Sequence, residues 1–418
     1  MRAMRSGQGT NSLQIRQYNQ RLVLRWLRRL GEASKADLAR AADLTSTAVG
    51  QIVDELDALG LVETVGKRHR GQRGQPATIL RLNRAGAYGI GVRLDRSRIE
   101  TALVDLGGHL LAQYTHDIDL PSPAATLEIV QRDVEQLLAF CTPEMRERIT
   151  GIGIGRPYNL GSWLQQLDLV EVPSLREWDD ADFAGDLARA TGLATVEEND
   201  GAAAAIAELF HGLGHEADNF LYLFIGPCIG GGLAMGGDYL RGETGNAADV
   251  AVMPVGPSRL PSAPQGPETN ILLTRASLNA LIRHLRHCGA RVTGLGDLAG
   301  AMNAHPRAVE EWMDDCVDAL VGPLLSMRAL LDISLVALDS DLDRVWIDRL
   351  IVRLEKALAA GVAEARTPPL VRAGHFGPYA GALGAASLPL FVHLSPRTGI
   401  LTGEATVGVK GGSEHVFA

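Results

Sequence analysis

Gln51 carries an amide that can pair with the N6 and N7 edge of an adenine in bidentate fashion. Ser46, Thr47 and Gly50 stand at helical spacing beside it. A second candidate surface follows: Gly66-Lys67-Arg68-His69-Arg70-Gly71-Gln72-Arg73-Gly74-Gln75-Pro76, a glycine-punctuated run with four Lys and Arg and no acid. Small and amide side chains suit base edges, and Lys and Arg suit phosphates. The chemistry these types imply is nucleic-acid recognition.

The elements needed to position them are legible nearby. Residues Ser34–Val62 fit two short helices and a tight turn. Ser34 can cap the first, with Asp37 three residues on as a capping-box-like acid, and Leu38, Ala41 and Ala42 give it an apolar side. Asp43-Leu44-Thr45 is the turn. Thr45 or Ser46 caps the second helix, whose Val49, Ile52, Val53, Leu56 and Leu59 recur at helical spacing until Gly60 ends it. A helix-turn-helix has this pattern, burying one face of its second helix and offering the other to the major groove. Gly50 in mid-helix costs roughly 1 kcal/mol relative to Ala, which close approach to DNA would explain. An ordinary helical hairpin fits the same spacing, but Leu61–Val65 and Thr78–Leu82 then alternate like strands on either side of the basic run. A hairpin with a basic tip beside a recognition helix is a winged helix. Its wing would lie along phosphates or enter the minor groove. Asn11–Leu30 supplies the first helix of the unit.

The 418-residue chain has a formal net charge of −9, which alone argues against nucleic acid. The distribution reverses that argument: residues 1–84 hold 15 Lys and Arg against 7 Asp and Glu, and residues 85–418 hold 25 against 42. We expect a DNA-binding domain over 1–84 and a separate acidic body over 85–418. No apolar run approaches the ~18 residues of a membrane span, and the first residues lack an apolar signal core. Cys141, Cys228, Cys288 and Cys316 lie far apart, so they make neither a disulfide framework nor a metal cluster. A reducing cytoplasm and no cofactor are expected.

From Tyr88 onward strands and helices alternate. Strands are expected at Gly89–Leu94, Ile99–Asp105, His109–Tyr114, Ile149–Ile154, Ala194–Glu197, Phe220–Ile225, Gly231–Met235, Asp238–Leu240 and Leu335–Leu338. Helices are expected at Ala124–Phe140, Asp182–Thr191, Gly201–Phe210, Val345–Ala363 and Tyr379–Ser387, with helical segments dominating Thr269–Leu331. The strand-and-turn arrangement occurs twice, which suggests two α/β lobes of similar plan with a ligand cleft between them.

Several motifs in this order resemble the ROK family of bacterial sugar-responsive repressors and sugar kinases. They are Gly151-Ile-Gly-Ile-Gly155-Arg-Pro157, Pro173-Ser-Leu-Arg-Glu-Trp178, Val196-Glu-Glu-Asn199-Asp200-Gly-Ala-Ala-Ala and Ile225-Gly226-Pro-Cys-Ile-Gly230-Gly231-Gly232. The resemblance runs from about residue 13 to about residue 390. It implies a winged helix-turn-helix followed by a two-lobed actin-like, ribonuclease-H-like ATPase-type fold, and a homodimer or homotetramer. It places Pro173–Trp178 near the sugar and makes Asn199 and Asp200 its hydroxyl-binding pair, Asp200 being the base in the kinases. Both residues also suit a helix cap, since an Ala-rich helix follows. The resemblance further puts Asp249 where the family has a sugar-binding Glu.

The departures from the family pattern concern the kinase. A phosphate-binding first turn needs a metal-binding Asp and glycines; here it reads Val92-Arg93-Leu94-Asp95-Arg96-Ser97, and a later glycine pair is Asp339-Ser340. The family's zinc site, one His and three Cys, is also missing: Val252 stands for the His, and no Cys lies between Cys228 and Cys288. A second sugar-binding Glu aligns with an apolar residue near Leu273. His211 and His215 read as solvated rather than as metal ligands, and His375 is a ligand-contact candidate. The expected function is an operator-binding repressor controlled by a sugar or sugar derivative, without kinase activity or bound metal; a sugar kinase with a fused DNA-binding head is the alternative.

Overall fold

The computed structural model describes residues 11–68, 76–158, 160, 173–362, 366–402 and 409–410. Local capping sets the first elements. Helix α1 (Ser12–Leu30) starts with a capping box in which Asn11 and Gln14 each donate a backbone N–H to the other's side chain at 2.8 Å. Strand β1 (Glu32–Ser34) leads into α2 (Lys35–Ala42), where Ser34 and Asp37 form the expected box. Asp43 turns the chain through a left-handed conformation at φ 54°. Thr45 then caps α3 (Ser46–Ala58), its Oγ1 accepting from Ala48 N at 3.2 Å. Strands β2 (Val62–Arg68) and β3 (Ala77–Leu82) form the hairpin, and β1 adds to β3, giving the order β1-β3-β2. Reading Ser34 only as a cap misses β1, in which it also pairs with Ile79.

Two sheets build the body. The first has the order β14-β8-β7-β4-β5-β6. Its meander is β4 (Tyr88–Asp95), β5 (Arg98–Asp105) and β6 (Leu110–His116); β7 (Ile149–Arg156) and β8 (Thr195–Asn199) join in parallel. The second has β9 (Phe220–Ile225), β10 (Ile229–Met235), β11 (Asp238–Tyr239), β12 (Leu335–Ser340) and β13 (Leu370–Ala373) in the order β11-β10-β9-β12-β13. Both therefore combine an antiparallel meander with parallel neighbours, as the duplicated pattern implied. The short β13, and β14 (Val409–Lys410) at the edge of the first sheet, were not legible in the sequence.

Two helices fill the space between the sheets. Helix Ala380–Leu394 lies on β4 and β7, helix Asp200–His211 lies on β10, and the two pack against each other. Their approach is close because the facing positions lack side chains. A Cβ at Gly91 or Gly153 would collide with the backbone of Ala386 or Ala385, and one at Gly384 with that of Ala203. The outer faces are covered by α4 (Pro123–Phe140) on the first lobe, and by helices Leu278–His287, Pro306–Leu331 and Arg344–Gly361 on the second. Helix Ala380–Leu394 runs seven residues beyond the expected end at Ser387, because every residue but His393 is buried.

The N-terminal unit is docked on this body through α1. Arg29 Nη2 donates to Asp218 Oδ1 at 2.6 Å and its Nε to Gly214 O at 2.9 Å, and Arg25 joins the same carboxylate. Arg21 Nη1 reaches Val392 O at 3.0 Å, and the Arg28 guanidinium sits 3.7 Å from the Phe210 ring centroid. Among the described residues no helix is long and apolar enough to cross a membrane.

The glycine contacts predict the cost of a methyl group. Gly153→Ala should destabilise the chain by about 1–3 kcal/mol through overpacking against a helix backbone. A urea titration measures this, and an unchanged midpoint would show that the helix is free to move away.

Candidate functional site

Two surfaces gather the chemistry-bearing residues. On α3 the core side carries Val49, Ile52, Val53 and Leu56. The opposite side leaves Ser46, Thr47 and Gln51 exposed, with Gly50 between them. A Cβ at Gly50 would meet nothing within 4 Å, so nothing inside the described chain requires a glycine there. Lys67 is exposed on β2. Arg70 and Arg73 lie outside the described residues, as does the side chain of Arg68. Two of the three acids on α3 are turned to internal use: Glu55 binds Arg16 and accepts from Gln20 at 2.5 Å, and Asp54 pairs with Lys35 at 2.7 Å; Asp57, near the helix end, is exposed.

The second surface is a cleft of about 1050 Å³, its open mouth included, between β4, β8 and the β9–β10 turn. The end of β8 and the start of the Ala-rich helix put Asn199 and Asp200 in its wall. Asn199 Oδ1 accepts from Gly201 N at 2.9 Å and Ala202 N at 3.4 Å, so it caps the helix. Its Nδ2 still donates to Asn246 Oδ1 at 3.4 Å, and Asn246 Nδ2 donates to Asp249 Oδ2 at 2.9 Å. Capping and cleft lining thus coexist in one side chain. The relay through Asn246 brings Asp249 into the same polar wall. Asn246 was missed in the sequence because an Asn in an irregular loop carries no periodic signal. Burial, then the charge of Asp95, raises the Asp200 pKa, with Arg93 opposing; burial also raises that of Asp249.

Arg93 enters the cleft from β4. Its Nη1 donates to Glu100 Oε2 at 2.9 Å, its Nη2 stands 3.7 Å from Asp95, and the chain packs on Gly381. Burial alone would favour a neutral guanidine, but Asp95 and Glu100 outweigh it and keep Arg93 charged. The turn that a kinase keeps open for phosphates therefore holds an internal ion-pair network. At the later expected glycine pair, Ser340 Oγ donates to Ile225 O at 2.5 Å and Asp339 Oδ1 accepts from Gly377 N at 3.0 Å, so both side chains fill the space.

Three expectations change. Trp178 is fully buried in the first lobe, its Nε1 donating to Pro121 O at 2.9 Å, and is not among the described residues that line this cleft. His375 is turned away from the cleft onto Glu208, its Nδ1 lying 2.9 Å from Oε2. His211 is not solvated: it lies 3.0 Å from Ser387 Oγ, and burial pushes its pKa well down. Leu273 does stand in the cleft wall, as the loose alignment suggested. The residues at the family's zinc position do not fit zinc. Val252 sits in a short 3-10 turn and the following loop has no thiolate, so a site of one His and three Cys cannot form there.

Comparison with known proteins adds the following. The model of the ROK family matches residues 89–390. The uncharacterized protein y4fQ of Sinorhizobium fredii is 26% identical over 378 residues, covering 89% of this chain and 91% of that protein. The DNA-binding transcriptional repressor Mlc of Escherichia coli is 24% identical over 244 residues, covering 58% of this chain and 59% of Mlc. The match to this repressor thus spans about three-fifths of its length. Among solved structures, a ROK family transcriptional regulator, described as a homologue of the E. coli Mlc protein, superposes with a TM-score of 0.66. It is 21% identical, with 94% of this chain and all of that chain covered, a likeness of fold. Sugar kinases also occur among the similar sequences and structures.

Asp341, at the cleft end of β12, provides a pH test. Burial and the neighbouring Asp95 push its pKa from 3.8 up to about 6, with Arg93 opposing. A raised carboxyl pKa means that ionisation costs folding, so the stability that this group contributes is fully present below about pH 4 and is lost as pH rises through about 6. Asp341→Asn should therefore stabilise the chain by about 1–3 kcal/mol at pH 7.5 and by nothing at pH 3.5. Equal shifts in the urea midpoint at both pH values would refute the assignment.

Proposed function

The chain belongs to the ROK family, and on that premise we propose that it is a DNA-binding transcriptional repressor released by a sugar or sugar derivative. Residues 1–84 are the DNA-binding domain, and residues 85–418 bind the ligand and pair the subunits as a homodimer or homotetramer. The protein acts in the cytoplasm and needs no cofactor. Repressors such as Mlc, similar to this chain, favour that reading over a free-standing enzyme.

The observation that carries the proposal is the outward face of α3. Ser46, Thr47, Gly50 and Gln51 present a small, polar, unobstructed surface beside the basic hairpin on an otherwise acidic chain. Inserted in a major groove, Gln51 reads an adenine edge while Lys67, Arg68, Arg70 and Arg73 hold phosphates. In the cleft, Asn199, Asp200 and Asp249 take the ligand's hydroxyls. The ligand must bind one arrangement of lobes and heads more tightly than another, and DNA binding then weakens by the same coupling free energy.

A kinase reading retains two features in its favour, the Gly230-Gly231-Gly232 run and Asp200 at the position of the family's base. Against it, Arg93 and its carboxylates occupy the phosphate turn. ATP turnover with mixed sugars decides between them: we expect none above background, and sustained sugar-dependent turnover would overturn the non-enzymatic reading.

Two tests address DNA binding. Replacing Lys67, Arg68, Arg70 and Arg73 together with Ala should weaken operator binding and lower the slope of log K against log salt by about 0.9 per lost phosphate contact. An unchanged slope would remove the hairpin from the interface. Gly50→Ala should stabilise α3 by roughly 1 kcal/mol yet reduce operator affinity; gain in both would place that face away from DNA. For the cleft, a thermal-shift screen of sugars against the protein and its Asn199→Ala and Asp249→Ala variants should find a ligand that raises the wild-type melting temperature alone.

A further inference from the structure

Within the helices that cover the second lobe, three potential ligand atoms converge. Helix Leu278–His287 contributes His284, Cys288 follows at its C-terminal cap, and the long helix Pro306–Leu331 contributes Glu311. Their donor atoms all lie within 4.8 Å of one another. His284 Nε2 is 3.1 Å from Glu311 Oε2 and 3.9 Å from Cys288 Sγ. Donors bound tetrahedrally to zinc at about 2.0–2.3 Å stand roughly 3.3–3.8 Å apart, so the cluster needs only small adjustment. We propose that His284 Nε2, Cys288 Sγ and Glu311 Oε2 form a zinc-binding site, with water as the fourth ligand.

The surroundings select for this. Ser262 Oγ lies 2.9 Å from His284 Nδ1. When Nδ1 carries the proton and donates it to Ser262, the Nε2 lone pair faces the carboxylate and the sulfur, as metal-bound imidazoles are oriented by an outer partner. Arg307 Nε takes the other carboxylate oxygen, Oε1, at 3.0 Å and leaves Oε2 turned inward. His284 is 1% exposed whereas Cys288 is exposed, so the site has a rigid base and an open entrance. The donor set of nitrogen, sulfur and oxygen suits zinc better than magnesium or calcium, which prefer oxygen alone. On binding, the Cys288 thiol loses its proton to solvent and the thiolate sulfur donates to the metal. One thiolate and one carboxylate then neutralise the dication.

None of the three ligands lines the cleft or belongs to the Val252 turn and the loop after it, where the family's zinc would lie; that loop supplies only the outer partner, Ser262. The site would tie two helices of the second lobe to the loop carrying Ser262. That loop continues through the Pro254–Ile271 bridge to Leu273 in the cleft wall.

The test uses the full-length protein, stripped with a chelator and dialysed against zinc chloride. One zinc per chain is expected. The cobalt-loaded protein should show a thiolate-to-metal charge-transfer absorption. Cys288→Ser should abolish that absorption and weaken zinc binding at least tenfold, and Glu311→Gln should also weaken it, whereas Cys228→Ser changes neither. Ser262→Ala should weaken binding about 10–100-fold through loss of the outer partner. Circular dichroism confirms that each variant is folded. Failure to retain zinc, or retention unaffected by both Cys288→Ser and Glu311→Gln, would overturn the proposal.

Discussion

The close approach of helix Ala380–Leu394 to the first sheet is the constraint on which the rest depends. Glycines in β4 and β7 let the helix backbone rest where any side chain would collide. Each such glycine adds conformational entropy to the unfolded chain, a cost offset by dense dispersion contacts in a dry interior. The gain is positional. Gly381 leaves room for the Arg93 side chain, and Gly384 draws in the Ala-rich helix whose first residues stand in the cleft. A bulkier seam would push the first sheet, which carries Arg93, away from the Ala-rich helix that lies on β10, and so part the walls of the cleft. The small-residue composition of both helices follows from this geometry rather than from helix propensity alone.

That same Ala-rich helix gives the proposed regulation a short route. It begins at the cleft, where Asn199 caps it, and ends at Phe210 and His211, beneath the Arg28 guanidinium of α1. Twelve residues of helix span about 18 Å. Close beyond its end, Asp218 and the Gly214 carbonyl hold Arg25 and Arg29. In the proposed regulation, a shift of the helix start would therefore be felt at the seat of the N-terminal unit. Packed helices of this kind move as bodies between discrete arrangements rather than deforming smoothly. Burial, then the charges of Arg25 and Arg29, lowers the Arg28 pKa to about 9, while the Phe210 ring face opposes this by favouring the cation.

What the sequence revealed follows the range of the interactions. The Ser34–Asp37 box and the Thr45 cap are local and were readable from spacing. So were the long strands of both lobes, since a buried run of apolar residues declares itself. Strands β1 and β13, of three and four residues, carry too few positions for a period to show. Contacts between distant residues were also out of reach. Nothing near His375 in the chain announces Glu208, 167 residues away, and nothing near Trp178 announces the carbonyl of Pro121 that buries it. The relay through Asn246 and the convergence of His284 with Glu311 belong to the same class. The family pattern supplied Asn199 and Asp200, but only the structure shows one Asn serving both as helix cap and as cleft wall.

Electrostatics narrows what the cleft can accept. Arg93 is already matched by Glu100 at 2.9 Å and flanked by Asp95. A buried cation so compensated has little attraction left for a phosphate, and displacing its partners would strand two carboxylates in a dry site. The remaining wall is acidic: Asp200 and Asp249 line it, Asp341 stands behind it beside Gly226, and burial raises all three pKa values, so their charged forms are disfavoured. An anionic ligand would add repulsion to that wall. An uncharged polyhydroxylated ligand adds none, and its hydroxyls can donate to the remaining lone pairs of Asp200 and Asp249. The compensated Arg93 and the carboxylates of Asp200 and Asp249 are thus two aspects of one charge distribution, which supports the proposed sugar-binding reading over a phosphorylating one.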